Sequence, residues 1–326
     1  MATCVRKIFK KVRPSNFLQG ATVLRSTSAN LSTTSTGCAY AKVREEEEIP
    51  FAQYGGRFRV TMLPGSGIGP EMMGYVKEVF RYAGIPIDFE TVNISTSTDS
   101  AEDVHHAVSS IKRNGVAIKG NIETRMNEPG IKSRNVILRN ELNLFVNVVH
   151  CYSQPGIITR HKDVDIAIVR MNIEGEYAML EHEVMVTPNL YGSIIGNLVC
   201  GLVGGAGLFS GRNYGERYAV FEPGTRNTGS SMVGKNIANP HAMLKAGVDL
   251  LEHLNLTCHA QLLRDCLWQT INVDRVHTPD LGGYATSLDF VQHVIHHIQE
   301  KTKDLNWQDN LRNNLEPSGV PRQFFY

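Results

Sequence analysis

Three polar residues in KSRNVILR (132–139), Ser133, Asn135 and Arg139, fall where a helix should begin. A helix start presents unpaired backbone amides, so these side chains and the amides together would attract a carboxylate. Arg170 ends an apolar strand pattern, DIAIVR (165–170), and Tyr177 follows on the next turn, adding a second cation and a hydroxyl. Helix capping by Ser133 and Asn135, and surface ion pairs for Arg139 and Arg170, would explain the same residues without a ligand. A glycine-rich turn, LPGSGIGPE (63–71), lies between a strand and a helix. Its glycines alternate and Pro70 stands where a dinucleotide fingerprint needs its third glycine, so a ligand loop and a tight turn both remain open. The stretch LEHEVMVTPNLYG (180–192) joins the charged run Glu181-His182-Glu183 directly to the apolar strand pattern Val184–Thr187. No turn residue separates them.

The elements that would carry these groups alternate along the chain. RFRVTML (57–63) and PIDFETVNI (86–94) have strand character, and Pro70-Glu71 opens a helix whose apolar face is Met72, Met73, Val76, Val79 and Phe80, stopped by Gly84. Ser100 and Asp103 resemble a capping box ahead of Val104, Ala107, Val108 and Ile111, with Gly115 as the stop. VAIK (116–119), LFVNVV (144–149), DIAIVR and RYAVF (217–221) are further apolar runs, and helices are expected at 241–254, 259–270 and 286–301. Such alternation predicts an α/β fold with a largely parallel sheet.

With 326 residues, 42% of them hydrophobic, the chain can bury a large core. A net charge of +1 gives no basic field for nucleic acid and no acidic tail, which leaves small molecules and other chains as partners. The six cysteines are far apart and form no CxxC pair, so reduced and mostly buried thiols are expected. Residues 1–44 contain eight Lys or Arg, eleven Ser or Thr and no acid, with Val5, Ile8, Phe9 and Val12 forming an apolar stripe. This is the pattern of a mitochondrial transit peptide, and the switch to EEEE at Glu45 puts its end near residue 46. No run approaches the ~18 apolar residues of a membrane span. The tail 303–326 is polar. His105, His106, His293, His296 and His297 are taken as surface or packing residues.

LPGSGIGPE resembles the PGDGIGPE signature of the isocitrate and isopropylmalate dehydrogenase family. KSRNVILR, IVRMNIEGEYAMLEH (168–182), NLYGSIIGN (189–197), GKNIANP (234–240) and RVHTPDLGGYATS (275–287) resemble its other landmarks in the same order, over roughly 54–302. KGNIET, HCYSQPGIITRHKD and RNTG are most similar to the regulatory gamma-type subunits of its mitochondrial, NAD-dependent branch. The resemblance implies a non-Rossmann α/β fold, with a mixed, mostly parallel sheet in a large domain at 54–149 and 217–302 and a small domain at 150–216. It further implies a matrix location, a catalytic alpha-type partner subunit, and NAD and Mg²⁺ or Mn²⁺ used by the complex.

For the effector or substrate, citrate or isocitrate, the resemblance implies contacts from Asn121, Thr124, Ser133, Asn135, Arg139, Arg170 and Tyr177. For an adenine nucleotide such as ADP it implies Asn227, Gly234, Lys235, Asn236 and Asn239. Where the family carries metal-binding carboxylates, this chain has Ser193 and Asn197, so no metal is expected in it. The family's base lysine and a further metal aspartate lie in a segment between EGEY and NLYG that is absent here. On this reading Glu183 and Val184 flank an internal deletion, the small domain is truncated, and Tyr177 is a relict without a catalytic partner. A regulatory, non-catalytic subunit is therefore expected. The competing readings are a dehydrogenase active in its own right and a non-functional splice or gene-model product.

Overall fold

A computed structural model describes residues 56–94, 101–123, 133–172, 186–187, 189–224 and 227–304. The expected transit peptide, the capping residue Ser100, Thr124, Tyr177, the junction at Glu183 and Val184, and the tail from 305 lie outside the described residues. In chain order the elements are β1 (Phe58–Leu63), α1 (Gly69–Tyr82), β2 (Ile87–Thr91), α2 (Ala101–Asn114), β3 (Val116–Lys119), α3 (Arg134–Glu141), β4 (Val146–Tyr152) and β5 (Asp165–Met171). They continue with β6 (Val186–Thr187), α4 (Asn189–Leu202), β7 (Ser210–Tyr214), β8 (Ala219–Pro223), α5 (His241–His253), α6 (Thr257–Asn272) and α7 (Ser287–Asp304).

The described strands make one sheet in the order β2-β1-β3-β8-β7-β4-β5-β6. The β2-β1-β3-β8 half is parallel, as apolar strands alternating with helices require. From β8 onward the pairing reverses: β7 is antiparallel to both β8 and β4, and β4 is antiparallel to β5. The β5–β6 pair is parallel again, so the sheet is mixed with four of its seven described pairings parallel, as the family resemblance implies. The reason is β7, SGRNY, whose polar composition hides it from an apolar-run reading and whose Gly215 amide closes a hairpin onto the Tyr218 carbonyl at 2.8 Å. The expected large-to-small division at 149/150 falls inside β4, which pairs with β5 from Val146↔Met171 to Tyr152↔Asp165.

Helices cover the sheet by burying their apolar stripes. Met72, Met73, Val76, Val79 and Phe80 of α1 are buried, as their spacing predicts. Under α2 and α3, Leu63, Val104, Val108, Ile111, Leu138 and Val220 belong to one apolar cluster. Each such side chain contributes about 1.5–3 kcal/mol by leaving water, and truncating Ile111 to Ala would cost about 2–5 kcal/mol. Helix α5 is buried on most of its surface, packed against β7 and β8 on one side and α1 and α6 on the other. Among the described residues no helix is long and apolar enough to cross a membrane.

Candidate functional site

Lys119 ends β3 and Glu222 stands one residue before the end of the adjacent parallel β8, each one residue beyond the Ile118↔Phe221 pair. The carboxyl ends of strands in an open α/β sheet are where ligands enter. Lys119 Nζ lies 2.7 Å from Glu222 Oε2 and also donates to Asn135 Oδ1 at 3.2 Å. Helix α3 lays Arg139 over the pair, its guanidinium 3.6 Å from Glu222 Oε1. Asn213, from β7, donates to the same oxygen at 3.0 Å. The side chains of Lys119, Glu222 and Arg139 are each no more than 10% exposed. Burial alone would raise the Glu222 carboxyl. Lys119 and Arg139, helped by the Asn213 bond, outweigh it and hold that carboxyl well below the usual range. Two cations share one carboxylate, which leaves a surplus positive charge among them.

Asn213 extends this cluster across the sheet. Its Oδ1 accepts from Asn147 at 3.0 Å and Asn172 at 2.9 Å, and its Nδ2 also donates to the Val220 carbonyl at 3.2 Å, so its amide is used in full. Asn172 Oδ1 accepts from Arg170 at 3.4 Å, and Arg170 donates to Ser193 Oγ of α4 at 2.7 Å. Asn147, Arg170, Ser193, Asn197 and Glu222 line one cleft between β4, β5 and α4.

Asn135 and Arg139 are thus brought together around Lys119, while Arg170, Ser193 and Asn197 line the neighbouring cleft, and the two groups are linked through Glu222 and the asparagine network. Arg139 is not in a surface ion pair: its partner is the buried Glu222. Ser133 stands at the N-terminus of α3 without a side-chain capping bond to the helix. Asn121 donates to the Asn227 carbonyl at 2.7 Å, and its neighbour Ile122 accepts from Asn135 at 2.9 Å. Lys119, Asn147, Asn172, Asn213 and Glu222 were not read as site residues. A lysine closing VAIK and a glutamate closing AVFE, each the one charge at the end of an apolar run, are the signals that could have found two of them.

The glycine-rich turn is a backbone seam. Ser66 N donates to the Asn121 carbonyl at 2.7 Å and Ile68 N to the Thr228 carbonyl at 3.0 Å. At Gly65 (φ +76°) and Gly67 (φ +63°) a Cβ would stand 2.4 and 2.0 Å from those same oxygens, so only glycine fits. Beside it, Asn236 Oδ1 accepts from Leu288 N at 3.0 Å. Asn239 caps α5 through His241 N at 3.0 Å and donates to Asp280 at 3.0 Å. Gly234 and Lys235 are exposed. His297 is buried and bonded to Asp274, while His296 lies 3.1 Å from Glu300.

The family model described as isocitrate/isopropylmalate dehydrogenase matches residues 59–184 and 178–297. The chain belongs to this family. It is 41% identical over 344 residues to the mitochondrial isocitrate dehydrogenase [NAD] subunit gamma of Homo sapiens, covering 78% of this chain and 87% of that one. To the Homo sapiens beta subunit it is 36% identical over 357 residues, covering 82% and 92%. Among solved structures, isocitrate dehydrogenase from Methylococcus capsulatus aligns with a TM-score of 0.66 at 23% identity, over 74% of this chain and 99% of that one. A beta-decarboxylating dehydrogenase from Thermococcus kodakarensis aligns at 0.63 and 22%, over 76% and 98%. These two likenesses establish the fold alone, the non-Rossmann α/β fold of the family.

The family model's two pieces overlap at 178–184, which includes the junction. Since 78% of 326 residues is about 254, about 90 of the 344 positions aligned with the human gamma subunit have no counterpart in this chain. A family member would be expected to hold a divalent metal with carboxylates. Here Ser193 Oγ accepts from the Arg170 guanidinium and Asn197 donates its amide to the Ser193 carbonyl at 3.0 Å. A cation-bearing neighbour and two neutral side chains do not fit a hard dication. Among the described residues no group of three or more His, Cys, Asp or Glu could hold one.

Proposed function

We propose that this chain is a non-catalytic, regulatory-type subunit of a mitochondrial NAD-dependent isocitrate dehydrogenase complex in the matrix. The complex would use NAD and Mg²⁺ or Mn²⁺, and an alpha-type catalytic subunit would be the partner. In this reading the chain binds citrate or isocitrate through Asn121, Thr124, Ser133, Asn135, Arg139, Arg170 and Tyr177. The observation that carries it is the buried Lys119–Glu222–Arg139 cluster, where two cations serve one carboxylate beside a cleft that also presents Arg170. A polycarboxylate would take up the surplus charge, with Asn135 and Asn147 as further donors. Asn227, Gly234, Lys235, Asn236 and Asn239 would hold the adenosine end of a nucleotide such as ADP. Asn236 and Asn239 already brace the loop 234–240 against 280–288, which would preform that surface.

In this reading the roughly 90 unmatched positions fall at the junction, and pairing with the partner is weakened, because the large-domain strands lie outside it while the truncated small domain would supply the interface. The test is co-expression with a catalytic alpha-type subunit, followed by size-exclusion chromatography and NADH assays with Mg²⁺ and isocitrate. The chain alone should form no NADH, and any complex should be weak and little activated. NADH formation by the chain alone would refute the non-catalytic reading. A stable stoichiometric heterodimer activated by citrate and ADP would show that the missing segment is dispensable.

A further inference from the structure

Cys151 on β4 and Cys200 on α4 place their sulfurs 3.4 Å apart, and both residues are buried. We propose that they form an oxidisable pair, converted by a hydroperoxide into a disulfide that ties α4 to β4. Their exposure to an oxidant is unequal. Cys200 lines the cleft beside Arg170, Ser193 and Asn197, whereas Cys151 lies behind it, next to Tyr152 and the Lys245 ammonium that bonds the Tyr152 hydroxyl at 3.2 Å. A molecule as small as hydrogen peroxide therefore meets Cys200 first.

The pair is also polarised. Either thiol can donate to the other; with Cys151 as donor the bond lowers the Cys200 pKa against its burial, while the same bond and burial push Cys151 up. Cys200, the sulfur that reaches the cleft, is the attacking one and Cys151, 3.4 Å away, the resolving one. In the first step the Cys200 thiolate attacks one peroxide oxygen, the O–O bond breaks, and a sulfenic acid and hydroxide form. In the second, Cys151 attacks the sulfenic sulfur, its proton leaves with the hydroxyl as water, and the S–S bond closes. Two thiols and one peroxide give one disulfide and two waters. Of the other described cysteines, Cys266 is buried with its pKa pushed up to about 11, and Cys258 is exposed on α6.

A disulfide needs its sulfurs at about 2.05 Å, so closure draws α4 toward β4. Those elements form opposite walls of the cleft, α4 through Ser193 and Asn197 and β4 through Asn147. Oxidation would narrow the space that the proposed anion shares with Arg170.

The test is peptide mapping of the full, reduced chain after hydrogen peroxide treatment, with thiols alkylated under denaturing conditions. A Cys151–Cys200 linked peptide should be the first disulfide formed and should vanish with a thiol reductant. In a Cys151→Ser variant, dimedone should label Cys200. Cys200→Ser should leave Cys151 unlabelled. Alkylatable Cys151 and Cys200 after Cys258 is oxidised, linkage of either to another cysteine, or a dimedone adduct on Cys151 would overturn the proposal. The wild-type map decides alone if a variant does not fold.

Discussion

Replacing Lys119 with Met should destabilise the protein in a pH-dependent way. Lys119 and Glu222 are 2.7 Å apart and nearly solvent-free, and removing one partner of a buried pair costs about 3–5 kcal/mol because a charge is left behind. Arg139, 3.6 Å away, still compensates Glu222 in part, so the lower end, about 3 kcal/mol, is expected. At 2–4 °C per kcal/mol for a unit of about 250 residues, Tm falls by about 6–12 °C. The folded Glu222 carboxyl sits well below its unfolded value near 4.3, so its contribution is present above that pH and is lost as pH falls through the folded pKa. In Lys119→Met the carboxyl is less depressed, so acid costs the variant less than it costs the wild type. Urea unfolding followed by circular dichroism at pH 7 and pH 3.5 should show a deficit that shrinks in acid. Equal deficits at both pH values would refute the claim that the loss is electrostatic. A Lys119→Met/Glu222→Gln double variant should recover part of the loss, with a coupling energy above about 1 kcal/mol.

Asn213→Ala should cost about 2–3 kcal/mol in urea, because it orphans the amides of Asn147 and Asn172 and a bond to Glu222; a loss under 0.5 kcal/mol would contradict the bridging role. Burial holds the His241 imidazole down at about 3, with Lys245 adding to the effect. Because the unfolded histidine takes up a proton near pH 6.5 and the folded one does not, stability is full above that pH. It falls by about 2 kcal/mol between pH 7 and pH 5, and His241→Gln should flatten this part of a pH series measured by urea unfolding. Tyr191, Ile194 and Leu198 form an exposed apolar stripe on α4, so Ile194→Lys with Leu198→Glu should reduce self-association in light scattering and change stability by less than about 0.5 kcal/mol. Unchanged scattering would show that this stripe is not the sticky face.

The elements that follow apolar periodicity were legible in the sequence: β1, β3 and α1 start and stop close to where their patterns and glycines put them. Strand β7 was not, because its buried positions are polar and are satisfied only by distant partners. Asn213 pairs with Asn147, Asn172 and Glu222, and Arg212 bonds Asp249 at 2.5 Å. The same reason hid half of the candidate site. Asn135, Arg139 and Arg170 sit in recognisable local patterns, but Lys119 and Glu222 become a pair only when β3 and β8, about a hundred residues apart, are placed side by side. The Asp274 partner of the buried His297 was hidden likewise, since it reaches that ring from beyond the end of α6. The glycine-rich turn left two readings open. The Asn121 and Thr228 carbonyls that fill the space beside Gly65 and Gly67 give its glycines a packing reason.

The Lys119–Glu222–Arg139 cluster and Arg170 are proposed to form a polycarboxylate site. Isothermal calorimetry of citrate binding to the full chain together with its catalytic partner, for the wild type and for Arg139→Ala, tests it most directly. Loss of a charged hydrogen-bonding partner is worth about 1.5–3 kcal/mol, so the variant should bind citrate about ten- to a hundredfold more weakly. Equal citrate affinity in the two proteins would contradict the assignment.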